Sequence, residues 1–271
     1  RVRINLPREY TVIHTGNLKE KSENSGQQTL IIESDLPVRE FSWAASPDYK
    51  LISRQLGEST INSYYLPGDE FYGQKALDFA SDLIANYSRR FGAYPFKQFS
   101  IAPIFLGYGG NQLSNLIFID SRAYKLPKFL IRYFDFLIAH ETGHQWFYNL
   151  VGNDEYQEMW LDEGFNSYFI LQYLEEKYGK DATVMVLPKG LDLFIPNFSF
   201  RRARDFRYFY LVKQGLDRPI LSELSSFQEP SSIFSITYGK GSQVLGMLSF
   251  LVGEETFDRI FARYFKEFAF K

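Results

Sequence analysis

Residues 140–146 read His-Glu-Thr-Gly-His-Gln-Trp, and residues 161–164 read Leu-Asp-Glu-Gly. The first stretch places two histidines at positions i and i+4, which lie on the same face of a helix. His140 and His144 are therefore predicted to direct their imidazole nitrogens at one metal ion. Glu163, in the second stretch, is predicted to supply a carboxylate as the third ligand.

This ligand set indicates zinc. Zinc accepts histidine nitrogens and a carboxylate oxygen at about 2.0–2.2 Å, and a site with three protein ligands keeps a fourth position open for chemistry. Glu141 directly follows the first ligand, so it can lie beside the metal without binding it and accept a proton from water. The alternative is a chance match on an amphipathic helix, which the presence of Glu163 disfavours.

Two helices are predicted to carry these residues. The first spans residues 128–150, between Pro127, which suits a helix start, and Gly152, which suits a stop. The second runs from about Asp162 to Tyr178 and ends at Gly179. Glu163 then lies in the first turn of the second helix, from which it can face the metal.

Composition narrows the class of protein. Of the 271 residues, 45% are apolar and 23% are charged, which is typical of a chain that folds around a core. The net charge of −2 shows no basic footprint for nucleic acid, and no apolar run is long enough to cross a membrane. The absence of cysteine excludes disulfides and thiolate ligation of zinc. Compartment and oligomeric state stay open.

The pattern along the chain indicates an α+β fold. Residues 1–66 read as strands and turns, with a hairpin predicted between residues 10–13 and 29–32 and further strands at 41–45 and 60–66. A helix through residue 91, short strands at 98–103 and 116–119, and then mostly helical sequence follow. The chain begins without methionine and stops inside a helical pattern, so we expect a piece of a longer protein.

Three elements together resemble the aminopeptidase N family of gluzincin zinc metallopeptidases. They are the zinc motif with Glu163, the sequence Tyr-Gly-Lys-Gly at residues 238–241, and Gly-Gly-Asn-Gln-Leu-Ser-Asn at residues 109–115. The last lies where the family carries its exopeptidase loop, Gly-x-Met-Glu-Asn. The resemblance implies that residues 1–66 end an N-terminal β domain and residues 67–271 form a thermolysin-like, mostly helical catalytic domain with a small sheet. The family's helical C-terminal domain would be absent.

The resemblance also implies a role for each matching residue. His140, His144 and Glu163 would bind zinc, while Glu141 would act as general base and then as proton donor to the leaving amine. Tyr238 would donate its hydroxyl to the oxyanion, and one such donor is typically worth about 10²–10³ in rate. The expected activity is removal of N-terminal residues from a peptide or protein substrate.

One departure from the family pattern concerns substrate binding. Gly109 and Gly110 suit a loop that runs close to a substrate. Gln112, however, stands where the family has the glutamate that binds the substrate's α-amino group, so the charge is lost. The alternatives are a weaker aminopeptidase, an engineered change, and an endopeptidase or N-blocked peptide hydrolase. An inactive zinc-bearing scaffold is a further alternative, which the presence of both Glu141 and Tyr238 disfavours.

Overall fold

The computed structural model describes residues 1–271, apart from the side chain of Asp192. The chain forms two compact units. The first contains Arg1–Arg89, Ala93–Leu126 and Leu137–Gln145, and the second contains Arg90–Gly92, Pro127–Phe136 and Trp146–Lys271. The predicted division between residues 66 and 67 into a β domain and a catalytic domain stays a prediction.

Five strands of the first unit form two small antiparallel sheets. One sheet has the order β1-β4-β3 and the other pairs β2 with β5. Alternate residues of β1 and β4 (Ile4, Leu6, Leu30 and Ile32) are buried together, as expected for strands with one face on a core. The bounds are β1 Val2–Pro7, β2 Thr11–His14, β3 Asn17–Asn24, β4 Gln27–Glu33 and β5 Trp43–Ser46.

The predicted hairpin between residues 10–13 and 29–32 is wrong. β4 instead forms a hairpin with β3, closed by Ser25 and Gly26, which both have positive φ. β2 pairs with β5, whose position in the sequence is well beyond β4. The error has a physical cause: the polar sequence of β3 lacks the apolar alternation that marks a half-buried strand, because nearly all of its residues are exposed.

A five-stranded sheet holds the rest of the first unit together. Its order is β6-β7-β8-β10-β9, with β8 parallel to both β7 and β10 and with β9 antiparallel at the edge. All five residues of β10 are buried. The bounds are β6 Lys50–Leu56, β7 Ser59–Tyr65, α1 Glu70–Phe91, β8 Gln98–Ile104, β9 Gly110–Leu113 and β10 Leu116–Asp120.

The second unit is helical and its core is aromatic. Phe147, Phe169, Phe261 and Phe265 lie against one another with ring centroids 4.7–6.5 Å apart. Among the described residues, no helix is both long enough and apolar enough to span a membrane. The bounds are α3 Glu155–Glu158, α4 Glu163–Tyr178, α5 Phe200–Lys213, α6 Pro230–Ile233, α7 Gly241–Val252 and α8 Glu254–Phe268.

The helix with the histidine pair is shorter than predicted. A 3₁₀ turn occupies Lys128–Leu130, and the α-helix, α2, spans Ile131–Gly143. The backbone N–H of Gln145 then bonds to the carbonyl of Thr142, three residues back, which tightens the chain beyond the α-helix. The prediction for the second helix is confirmed: α4 begins at Glu163 after Asp162 and ends at Gly179.

Candidate metal centre and catalytic site

The two histidines of the motif face each other across a short gap. Their Nε2 atoms lie 3.3 Å apart, and the ring planes are perpendicular. Two nitrogens bound to one zinc ion at about 2.0–2.1 Å and a tetrahedral angle would lie about 3.3–3.4 Å apart. The separation therefore fits two ligands of a single ion, although His144 lies one residue past the end of α2.

Glu163 completes the group of possible ligands. Asp162 caps α4 by accepting the backbone N–H of Glu163 at 2.8 Å, which sets the side chain of Glu163 in the first turn. One ligand atom from each of His140, His144 and Glu163 lies within 4.8 Å of the others. All three side chains are at most 9% exposed. This donor set, with two imidazoles and one carboxylate, suits zinc.

Glu141 is held beside the edge strand of the five-stranded sheet. It is 5% exposed, and the backbone of Gly110 approaches it so closely that a Cβ on Gly110 would lie 2.6 Å from Cγ and 2.7 Å from Oε1. The neighbouring Gly109 approaches α2 in the same way, since its Cβ would lie 2.8 Å from Leu137. A side chain at Gly110 would displace the Glu141 side chain, whereas one at Gly109 would meet only the flexible end of Leu137.

Gln112 lies on the same edge strand. It is half-buried, and it pairs with Ile117 of β10 in an antiparallel register that also pairs Gly110 with Ile119. The glycine segment was predicted as a loop, but Gly110 opens β9. Gln112 therefore belongs to the same short strand as Gly110, the residue that contacts Glu141.

Asp120 anchors the segment that leads into this strand. Its carboxylate accepts hydrogen bonds from the Arg122 side chain and from the backbone N–H groups of Leu106 and Gly107. The Arg122 guanidinium, together with these N–H groups, holds the pKa of Asp120 well below its ordinary value. In addition, the backbone N–H of Asp120 bonds to the carbonyl of Gly109 at 2.9 Å. The glycine segment is therefore held at both ends.

Tyr238 lies in a π-helix that spans Phe234–Lys240. π-Helical segments are rare in proteins, and those that do occur are often found at functional sites. The segment packs against the start of α4, where a Cβ on Gly164 would lie 2.9 Å from the carbonyl oxygen of Thr237 and 3.3 Å from Cα of Gly241. Gly164, which follows Glu163, and Gly241 thus allow the backbone of α4 to contact the π-helix. The contact lies at Thr237, which precedes Tyr238.

Lys240 holds the π-helix to the preceding loop. Its Nζ donates to both carboxylate oxygens of Asp217, at 2.9 and 3.1 Å, and to the carbonyl of Arg218 at 2.7 Å. These bonds give Lys240 a structural role. It positions the segment that contains Tyr238.

An apolar cavity of about 330 Å³ lies beside Tyr238 in the second unit. The rings of Tyr133, Phe136 and Phe200 stack in sequence along its wall, with centroids 6.4 and 5.7 Å apart. Arg207 also lines it. A larger depression of about 650 Å³ in the same unit is lined mainly by polar and charged side chains. The smaller cavity is the better candidate for a peptide side chain because its walls are aromatic.

Gln145 and Gly164 have roles in the structure that the sequence did not indicate. Gln145 is fully buried and makes hydrogen bonds to the turn between β9 and β10. Gly164 allows the contact between α4 and the π-helix. Gln145 follows His144 and Gly164 follows Glu163. This proximity to a predicted metal ligand was the only feature of the sequence that pointed to either residue.

Comparisons with known proteins show which family this chain resembles. A model of the peptidase family M1 domain matches residues 114–271, more than half of the chain and a range that includes both histidines, Glu163 and Tyr238. Aminopeptidase N from Homo sapiens is 35% identical over 137 residues (50% of this chain, 13% of the relative), and that from Canis lupus familiaris is 33% identical over 139 residues (50% and 13%). Alanine/arginine aminopeptidase from Saccharomyces cerevisiae is 26% identical over 219 residues (78% and 24%).

The chain spans between 13% and 24% of the length of these relatives. The resemblance to the aminopeptidase N family is confirmed, since the family model covers residues of both the zinc motif and the Tyr-Gly-Lys-Gly motif. The chain therefore belongs to peptidase family M1, a family of zinc metallopeptidases.

Proposed function

We propose that this chain carries the catalytic residues of a zinc-dependent aminopeptidase. The observation that carries the proposal is the close grouping of one ligand atom each from His140, His144 and Glu163. The three side chains would hold the zinc ion. When bound, zinc acts as a Lewis acid that polarises the peptide carbonyl and lowers the pKa of water.

Glu141 would carry the proton in this reaction. Its carboxylate accepts a proton from the attacking water, whose oxygen bonds to the carbonyl carbon. The same proton then passes to the amide nitrogen as the C–N bond breaks, so the products are an amino acid and a peptide shortened by one residue. The contact with Gly110 supports this role because it restricts the positions open to the carboxylate.

Tyr238 would donate its hydroxyl to the carbonyl oxygen as negative charge develops there. The support is its partial exposure in a segment fixed by Lys240 and packed on Gly164. The aromatic cavity beside it would accept an apolar side chain of the substrate. A donor held in place before the reaction stabilises the developing charge without reorganising.

Gly109, Gly110 and Gln112 would bind the N-terminal end of the peptide. The backbone at Gly109 and at Gly110, where β9 begins, can lie along the peptide, and the Gln112 amide oxygen can accept a hydrogen bond from the substrate's α-amino group. A neutral amide oxygen lacks the attraction between opposite charges that a carboxylate would add to the hydrogen bond from an ammonium. This weakness favours one second candidate, a hydrolase that also accepts N-blocked peptides or cuts internally.

The test uses one peptide in free and N-acetylated forms with zinc-loaded protein. The proposal expects stepwise loss of N-terminal residues from the free form alone, read by mass spectrometry. The Glu141→Gln variant should keep one equivalent of zinc and lose turnover. Cleavage of the acetylated peptide, or internal cuts in both forms, would support the second candidate instead. Turnover by Glu141→Gln at the wild-type rate would remove Glu141 from its proposed role.

A further inference from the structure

The side chain of Gln145 joins the end of the histidine motif to the hairpin that carries Gln112. It lies immediately after His144 and is fully buried. Its Oε1 accepts the backbone N–H of Asn115 at 3.1 Å, and its Nε2 donates to the carbonyl of Leu113 at 2.9 Å. One amide group therefore holds both sides of the turn between β9 and β10.

The orientation of this amide is forced by its partners. The carbonyl of Leu113 can only accept a hydrogen bond, and the N–H of Asn115 can only donate one. The hydroxyl of Tyr94 also lies 3.2 Å from Oε1 and can donate to it. Gln145 thus uses both ends of its amide, and no side chain without a donor and an acceptor can replace it.

The held turn lies next to the proposed amine-binding residue. Leu113, whose carbonyl Gln145 holds, directly follows Gln112 in β9. β9 is an edge strand that pairs only with β10 within the sheet, so few backbone bonds set its position. At its other end, Gly110 lies against Glu141. The strand is therefore fixed to the Glu141 segment at both ends, by Gly110 and through Gln145.

We propose that Gln145 is a positioning residue for substrate recognition. It holds Gln112 at a set distance from Glu141, so that the peptide's α-amino group and its first peptide bond reach their partners together. This inference rests on the proposed aminopeptidase function. Gln145 contacts no substrate in this account and acts through Leu113 and Asn115.

The first test asks whether Gln145 holds the turn. Hydrogen exchange of the full chain is followed by mass spectrometry in Gln145→Leu and in a matched control, Gln28→Leu. Gln28 is also a buried glutamine, whose amide donates to the backbone carbonyls of Pro7, at the end of β1, and of Tyr10. Gln145→Leu should speed exchange in residues 111–116 by roughly five- to tenfold, since the turn loses two hydrogen bonds, and Gln28→Leu should not.

The second test asks whether the turn serves amine recognition. Binding of alanine hydroxamate and of its N-acetyl form to zinc-loaded protein is measured by calorimetry, and kcat and KM are measured with a free peptide. Gln145→Leu should lose about tenfold in affinity for the free-amine compound and raise KM by a similar factor, with little change for the acetyl compound. A merely structural role would instead lower the active fraction, and with it kcat, at constant KM.

A conservative variant separates positioning from damage to the fold. In Gln145→Asn, the side chain is one methylene shorter but keeps an amide that can accept from Asn115 and donate to Leu113. It should recover part of the free-amine preference that Gln145→Leu loses. If wild type prefers the free amine and Gln145→Leu keeps that preference, only this inference falls. If wild type shows no preference, the proposed function falls together with it.

Discussion

The backbone of Gly110 lies directly against the carboxylate of Glu141, with no room for even a methyl group between them. This contact joins the edge strand of the five-stranded sheet to the proposed general base. Gly110 is not among the residues with positive φ, so alanine could adopt its backbone conformation without strain. Any effect of substitution there would therefore come from displacement of Glu141.

Gly110→Ala should accordingly reduce catalysis without removing the metal. The new Cβ would lie 2.7 Å from Oε1 of Glu141, so the carboxylate must move, and a shift of about 1 Å in a catalytic group can cost roughly 10²-fold in kcat. Zinc content should be unchanged. The control is Gly246→Ala, where the nearest atom, of Tyr168, is 3.8 Å away. Equal kcat in both variants would argue against the steric account.

Tyr238→Phe should lower kcat and leave KM nearly unchanged. The hydroxyl is proposed to act only when charge develops on the carbonyl oxygen, and loss of such a donor costs about 10²–10³ in rate. The control is Tyr210→Phe, since Tyr210 is exposed on α5 in the same unit. Steady-state kinetics with one free peptide decide the matter. A wild-type kcat in Tyr238→Phe would exclude the tyrosine from the reaction.

Gln112→Glu should tighten binding of free-amine substrates. The charged acceptor makes a stronger bond to an ammonium, and we expect KM to fall by about five- to tenfold for a free peptide. An N-acetylated peptide should gain nothing, because it has no ammonium. Gln55→Glu, on exposed β6, controls for the added charge. A similar gain in both variants would point to long-range electrostatics rather than direct recognition.

Stability should depend on pH through His14. This residue is buried on β2, and burial lowers its pKa below 6.5 in spite of a hydrogen bond to the carbonyl of Thr15. The folded state thus binds a proton less readily than the unfolded state. The contribution of neutral His14 to the free energy of unfolding is complete above pH 6.5. It is lost as the pH falls from 6.5 through the lowered pKa of the folded state.

Urea unfolding at pH 7.5 and pH 5.5, with the same zinc loading throughout, measures this effect. Replacement of His14 by Gln removes the titrating group, so the loss of unfolding free energy between the two pH values should be smaller in the variant. The comparison cancels the contributions of the other two histidines. Identical losses in the two proteins would mean that His14 has the same pKa in the folded and unfolded states.

The pairing of the two histidines in the candidate metal centre was predictable because it depends on local geometry. His140 and His144 are four residues apart and their rings meet, although His144 lies one residue past the end of α2, and Asp162 and Gly179 flank α4. These features need only residues within a few positions of each other. The α+β class followed in the same way, from the periodicity of apolar residues.

Pairings between distant segments were decided by the tertiary structure. The partner of β2 is β5 rather than β4, and the strand at Gly110 reaches Glu141 from a different part of the chain. The residues around Gln145 in the sequence do not indicate whether its amide is buried or faces solvent. Such contacts depend on which surfaces are buried together and on hydrogen bonds between residues far apart in sequence, and neither leaves a periodic pattern in the residues themselves.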